Sequence, residues 1–576
     1  MFNSVLAELR ALGYANGLLQ EDYKFGDWFA RSVTERTIDA AAFGQTPVSY
    51  ESACFGVVKS PQEDAAISHY RALGAPIVFE VKADCVRRWV VSREDSKTPK
   101  PVEFSEADIR DHFAKNAVDW TPSKFLRAKN IGDFKWNRQL ELFAGVIPLH
   151  EEQIQEKLAP MLRSALSAAS IAYRETTGRD PDPVPLFRLI FALLTAKVFY
   201  DRSVPGFLEL TPSADALLAA VSKYYKRNPA RDRVLNKHAR NKAFEKVWKE
   251  MIFLNLSVEV LAQIWSKTLV SDEVKKKLGI HRTSRTIVKY IVERIPFDEV
   301  RDEHQTVVEP CCGSGAFLIG AMNELKTRLW GHSPEDRHVF FSQHLIGFEK
   351  DPFGAEISQL SLTLADFPNP EGWQIIDSDV FDKTLNKEFL ESLSSAGVVL
   401  CNPPFEDFND IERILYKPTS VKKPVELLRL ILDHLHPQAA LGFVMPRNIL
   451  DGKGYGKVRR RLAERYSSIE VTSLPDSAFD ADHEVVLLVA KDALPHRETL
   501  VTHRKVYDSR DDWNRFAWFH EVSSEERLSL SPDSAAKSIA IPDLKPVWDH
   551  LEMCEHLSDW ASLHRGIEWS LPLTKD

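Results

Sequence analysis

The spacing of apolar residues along this chain changes twice. From residue 1 to about 115, strand-like and helix-like runs are mixed. ESACFGVV (51–58) and APIVFEVKADCVRRWVVS (75–92) read as strands with a short helix between them. From about 120 to 270 the spacing is helical. LFRLIFALLTAKVF (186–199) and MIFLNLSVEVLAQIWSKTL (251–269) read as amphipathic helices, with few turn signals between them. Near residue 276 short apolar runs begin to alternate with helical segments: TVVEP, a glycine-rich turn, AFLIGAMNELKTRLW, HLIGFEKD, a helix, VVLCNPP, a helix and ALGFVMP. That alternation predicts a doubly wound, mostly parallel sheet. The expected organisation is an α+β N-terminal domain over 1–115, a helical domain over 116–275, an α/β domain over 276–530, and a remainder over 531–576.

Four of the α/β strands end in residues with chemical potential. VVLCNPPFEDF (398–408) runs from a buried-type strand into Asn402, Pro403, Pro404 and Phe405. Proline donates no ladder hydrogen bond, so the strand stops and its end is held stiff. Carboxyl ends of strands are where open α/β sheets bind ligands. Upstream, Glu309-Pro310-Cys311-Cys312-Gly313-Ser314-Gly315-Ala316-Phe317 follows a strand and opens a helix. Its glycines permit a sharp turn and close approach to a ligand, yet a purely structural turn would look the same. It lacks the GxGxxG spacing of dinucleotide folds, and the acid at its strand end suits a cationic ligand better than a diphosphate. LIGFEKDP places Glu349 and Lys350 at the next strand end, where a carboxylate could accept ribose hydroxyls or be a surface acid. IIDSDVF places Asp379 and Val380 after another, with a carboxylate able to accept from an adenine amino group.

Composition narrows the class. The 576 residues suggest several domains, and 44% hydrophobic with 27% charged residues is ordinary for a globular protein. No signal peptide pattern and no bilayer-length apolar run is read, so a cytoplasmic location is expected. The six cysteines show no metal spacing, and no metal site is expected. Cys54, Cys85 and Cys401 sit in apolar contexts that suit packing. The net charge of −9 does not favour nucleic acid, although local patches outweigh the sum.

In this order, the four strand-end motifs resemble those of adenine-N6 DNA methyltransferases, more narrowly the type I and type IIG restriction-modification and phage-defence methylases. Glu309 stands where that family has Asp, and Cys311 where it has Ala. HRTSRTIV (281–288) resembles the family's Thr-Pro-Arg element, with Ser284 for the proline. The stretches 442–464 and 473–492 resemble its later strand-and-helix units. The resemblance implies a Rossmann-like domain using S-adenosylmethionine. The cofactor would be held by Thr283, Glu309, Pro310, Cys312, Gly313, Ser314, Gly315, Phe317, Glu349, Lys350, Asp379, Val380 and Asn402. The amine would be held by the Asn402 side-chain oxygen and the Pro403 carbonyl, with Pro404 adding stiffness. The adenine, flipped from double-stranded DNA, would stack on Phe405, with Phe479 as a second aromatic or else a core residue. LSDWASLHRGIEWS (557–570) resembles the opening of a target-recognition domain, so the chain is a fragment or takes its specificity from another subunit.

Other regions raise competing readings. Glu80-Val-Lys82 matches the end of a PD-(D/E)xK nuclease pattern, which would make a bifunctional restriction enzyme. No Pro-Asp follows the preceding strand, however, and a degenerate nuclease-like or accessory fold fits better. Residues 223–249 are basic with interleaved aromatics. Lys226, Arg227, Arg231, Arg233, Lys237 and Arg240 could grip DNA phosphates or form a solvated helical face. VRRRLAERY (458–466) invites the same two readings. Methylation of RNA or protein, or a non-catalytic DNA-binding scaffold in a defence complex, stays open as an alternative.

Overall fold

The computed structural model describes most of the chain. Outside the described residues lie 16, 47, 61–65, 93–97, 99, 132–145, 203, 205, 225–234, 251, 255, 257–282, 298–304, 330, 367–368, 370–371, 476–483, 494–496, 542–549, 552–553, 556–559 and 561–576.

The N-terminal region folds around a sheet of β1 (Leu19–Asp27), β2 (Thr34–Phe43), β3 (Ala53–Lys59), β4 (Ile77–Val81), β5 (Val86–Val90) and β6 (Val102–Phe104), in that spatial order. β3 and β4 are parallel and the other pairs antiparallel. The parallel pair needs a crossover, which the short helix Ile67–Leu73 supplies. Phe55, Phe79, Phe113 and Trp120 pack edge-on and stacked beneath the sheet.

Helices Val146–Thr177, Pro183–Asp201, Ala214–Tyr224 and Lys237–Glu250 form an all-helical layer around an apolar core that also takes in Trp28, Tyr50 and Ile357. Pro183–Asp201 corrects an expectation. The segment 186–199 reads as one-sided, but the helix is buried around nearly its whole circumference, as its almost unbroken apolar run allows. Of 251–269, only Ile252–Leu254 and Leu256 are described, and they are not helical.

The third region carries a larger sheet. Its strands are β7 (Thr306–Glu309), β8 (Leu345–Glu349), β9 (Gln374–Asp377), β10 (Ala396–Cys401), β11 (Ala440–Pro446), β12 (Ser468–Ser473), β13 (Val485–Lys491), β14 (Thr499–Lys505) and β15 (Ser524–Leu530). Among the described residues the order is β15-β14-β12-β13-β11-β10-β7-β8-β9. β9, β8, β7, β10 and β11 are parallel, and β13 inserts antiparallel between β11 and β12. From β7 the chain winds outward through β8 and β9, then returns to place β10 on the other side of β7. The order therefore reverses between β7 and β10, and a crevice opens at their carboxyl ends.

Candidate active site

The reversal brings the glycine-rich turn after β7 beside the Asn-Pro-Pro-Phe stretch after β10. In register, Val399 pairs with Val308. The two strand ends are thus level, although their sequence positions are far apart.

The turn is built for tight geometry. Gly313 and Gly315 have φ of +51° and +76°, a region that L side chains rarely adopt. A Cβ on Gly315 would meet Ser358 Oγ at 2.7 Å, whereas one on Gly313 would point into open space. Glu309 is buried, and its Oε2 accepts from Leu318 N–H at 3.1 Å, at the start of helix Ala316–Arg328. Burial pushes its carboxyl well above the usual carboxylate range, partly opposed by the backbone N–H groups of Leu318 and Phe317. Glu349 accepts from Gly313 N–H at 2.9 Å and from Asp351 N–H at 3.0 Å. It is raised too, first by burial.

Asn402 follows the buried strand β10. Its Nδ2 donates to Thr283 Oγ1 at 3.0 Å. Its Oδ1 is buried and has no hydrogen-bond partner among the described residues. A buried amide oxygen left unpaired is costly, so a donor from a ligand is the natural partner. Pro403 is buried, while Pro404 and Phe405 are half-buried. A cavity of about 520 Å³ opens beside Phe405, walled by Lys422, Arg447, Asn448, Tyr455 and Glu484. Buried Lys423 ties the loop after Phe405 to the next helix through Glu406 at 3.2 Å and Glu412 at 3.0 Å.

Asp379 is already engaged: Oδ1 accepts from Phe381 N–H at 2.9 Å and Oδ2 from the Tyr416 hydroxyl at 2.9 Å. The sequence reading missed Tyr416, because nothing in a short helix after the proline pair signals a bond to β9's end. Several expected contact residues are placed in the core: Cys312, Phe317 and Val380 are buried in apolar clusters. Cys312 accepts from the Ser358 hydroxyl at 3.4 Å. Pro310 is buried, Ser314 is half-buried, and Lys350 is exposed beside Glu349. Phe479 lies outside the described residues; Glu484, at the cavity wall, follows its segment.

Several candidates elsewhere are engaged in structural contacts. Glu80 is fully buried and accepts from Ser60 Oγ at 2.5 Å and Trp89 Nε1 at 2.8 Å, with Lys82 Nζ at 3.5 Å. Glu80 and Lys82 are therefore adjacent, but the carboxylate faces hydrogen-bond donors. Among the described residues no cluster of His, Cys, Asp and Glu suits a metal. Lys226, Arg227, Arg231 and Arg233 lie outside the described residues, and Lys237 is exposed. Arg240 pairs with Asp215 at 2.8 Å and bonds the Leu235 carbonyl. In the 458–466 stretch, buried Arg459 donates to the carbonyls of Ile449, Gly452, Ala535, Ala536 and Lys537. Arg460 and Arg461 pair with Glu464 and Asp433. Cys85 is half-buried, whereas Cys54 and Cys401 are buried in the core. Of 557–570, only Trp560 is described.

The strand order, the glycine turn at the reversal, and the acids and amide at successive strand ends define a Rossmann-like, doubly wound α/β domain with a ligand crevice at its switch point. Residues 259–516 match the family model described as N-6 DNA Methylase, which bears out the resemblance over that segment. A curated relative, the type I restriction enzyme MjaIX methylase subunit of Methanocaldococcus jannaschii, is 27% identical over 227 residues, 36% of this chain and 36% of the relative. The chain thus matches only about a third of that relative's length. Among solved structures, the type I restriction-modification methyltransferase subunit from Streptococcus thermophilus has a TM-score of 0.43 at 14% identity, covering 66% of this chain and 98% of that one. A DrdV–DNA complex has a TM-score of 0.49 at 12% identity, covering 95% and 58%. Among the described residues no helix is long and apolar enough to cross a membrane.

Proposed function

We propose that this protein is a DNA adenine-N6 methyltransferase that takes its methyl group from S-adenosylmethionine. The observation that carries the proposal is the Asn402 amide. Its nitrogen is held by Thr283 while its buried oxygen lacks a partner among the described residues, at the end of a strand whose next peptide is stiffened by two prolines.

The residues present fit the cofactor. Glu309 and Glu349 end β7 and β8 and Asp379 lies just beyond β9, so acids stand where a cationic ligand with ribose hydroxyls and an adenine amine would need acceptors. The glycine turn leaves open space at Gly313. When bound, S-adenosylmethionine supplies an electrophilic methyl on a positively charged sulfur. The chain's own work is positioning. The exocyclic amine of adenine is a poor nucleophile because its lone pair is delocalised into the ring. Asn402 Oδ1 and the Pro403 carbonyl would each accept one of its N–H bonds, favouring a tetrahedral nitrogen with the lone pair free. An amide suffices, since the proton becomes acidic only after methylation. Phe405 and the neighbouring cavity would receive the base, extruded from the duplex because a stacked base cannot reach a strand end. The choice of DNA sequence would come from a recognition domain or a separate specificity subunit. A cytoplasmic restriction-modification or phage-defence role belongs to the same proposal.

The test is incubation of the whole protein with methyl-labelled S-adenosylmethionine and duplex DNA, comparing wild type with Asn402→Ala. Label on adenine N6 that the variant fails to add is the expected result. Label in RNA or protein but not in DNA would sink the proposal.

A further inference from the structure

We infer that Thr283 is a positioning residue for the transfer step, acting through the Asn402 amide. This rests on the function proposed above. The Asn402 Nδ2 to Thr283 Oγ1 bond, 3.0 Å long, is the only contact among the described residues that holds the amide's side-chain atoms. A side-chain amide otherwise rotates about its last torsion, which is broad, and rotation would aim its N–H₂ at the substrate amine, donor against donor. Anchoring the nitrogen keeps the oxygen facing the site.

Thr283 is placed by the capped helix that follows it. It precedes Ser284, the N-cap of helix Arg285–Val292, whose hydroxyl accepts from Ile287 N–H. That helix lies close against helix Ala316–Arg328 and against β11 because a glycine on each makes room. A Cβ on Gly320 would meet Val288 at 2.4 Å, and one on Gly442 would meet Ile291 at 2.4 Å. At the helix start, half-buried Arg285 pairs with Glu51, between β2 and β3, and with Glu151 of helix Val146–Thr177 at 2.7 Å. The two upstream regions thus set where Thr283 sits, and through it the catalytic amide. The route runs from Glu51 and Glu151 through Arg285 and Ser284 to Thr283 and Asn402.

The experiment uses the whole protein with labelled S-adenosylmethionine and duplex DNA under single-turnover conditions, with cofactor affinity measured by calorimetry. Thr283→Val keeps the shape and removes the acceptor, and Thr283→Ser keeps the hydroxyl. The valine variant is expected to transfer about tenfold to a hundredfold more slowly at saturating cofactor, a loss that added cofactor does not restore. The serine variant is expected to recover most of the rate. Should the valine variant misfold, Thr283→Ala against Thr283→Ser carries the same comparison. A valine variant that transfers at the wild-type rate would overturn the inference. So would one that loses cofactor affinity with its saturated rate intact, or a serine variant as slow as the valine one. A wild-type protein that labels no DNA would defeat the proposed function, and this inference with it. A labelling wild type with an unaffected valine variant would defeat the inference alone.

Discussion

Tyr416 donates its hydroxyl to Asp379 Oδ2 at 2.9 Å. The bond ties the end of helix Asp410–Tyr416, which follows the Asn-Pro-Pro-Phe loop, to the turn after β9 at the far edge of the sheet. It lends order to a helix that buries little of itself, since Ile411, Ile414 and Leu415 are exposed. Tyr416→Phe is expected to cost about 1 kcal/mol in urea unfolding and to speed amide hydrogen exchange across 410–416. Asp379→Ala should cost more, because it also strands the Phe381 N–H.

The two positive-φ glycines of the turn should respond differently to alanine. Gly313→Ala meets open space and bears only backbone strain, about 1 kcal/mol. Gly315→Ala adds a 2.7 Å approach to Ser358 Oγ, so its loss of stability should be clearly larger. Thermal unfolding of both variants measures the gap. Gly315→Ala combined with Ser358→Gly should recover part of it, because the clashing hydroxyl is then gone.

Arg459 is buried and donates to five backbone carbonyls, from the 449–452 turn and from 535–537. Arg459→Met leaves several of those acceptors unsatisfied and is expected to destabilise by about 3 kcal/mol or more. Arg459→Lys should rescue little, since a single ammonium cannot span the planar fork of contacts. Denaturant midpoints of the three proteins decide it. A methionine variant as stable as wild type would mean the fork contributes nothing.

His150 is buried between Phe29, with ring centroids 5.1 Å apart, and Tyr50, at 4.4 Å. Neither ring nitrogen has a hydrogen-bond partner among the described residues. Burial, with Lys129 and Lys157 nearby, lowers its pKa to about 3. The folded state therefore binds fewer protons than the unfolded chain below the ordinary histidine pKa. The stability His150 supports is present above about pH 6.5 and falls by about 1.4 kcal/mol per pH unit below it, until the folded pKa is reached. His150→Phe should flatten that acid limb. Unfolding curves for both proteins between pH 7 and pH 4.5 check the difference.

Much of the candidate site's placement was legible in the sequence because its signals are local. Two prolines stop a strand wherever it lies, and a Gly-Ser-Gly turn after an apolar run opens a helix by its own backbone needs. Acids at the ends of β7 and β8 and just beyond β9 announce themselves by following short apolar runs. The alternation after residue 276 likewise implied the parallel core, because burial on both faces demands continuous apolar strands. Charge patterns read less well. The arginines of 458–466 look like a solvated face, but sequence does not reveal the carbonyls that receive Arg459. Arg240 looks available for phosphate yet is held by Asp215. Glu80 and Lys82 look like catalytic partners, whereas Trp89 and Ser60 bind the carboxylate.

Where strands end, and which residues stand at those ends, follows from the preferences of single peptides and can be read along the chain. Which ends meet depends on the folded sheet. The reversal between β7 and β10 sets the glycine turn beside Asn402. The glycine-lined seat of helix Arg285–Val292 brings Thr283 to an amide 119 residues away. Such contacts depend on strand order and on how closely a helix approaches a sheet. Both are fixed by packing volume across the whole domain, which no local stretch of sequence encodes.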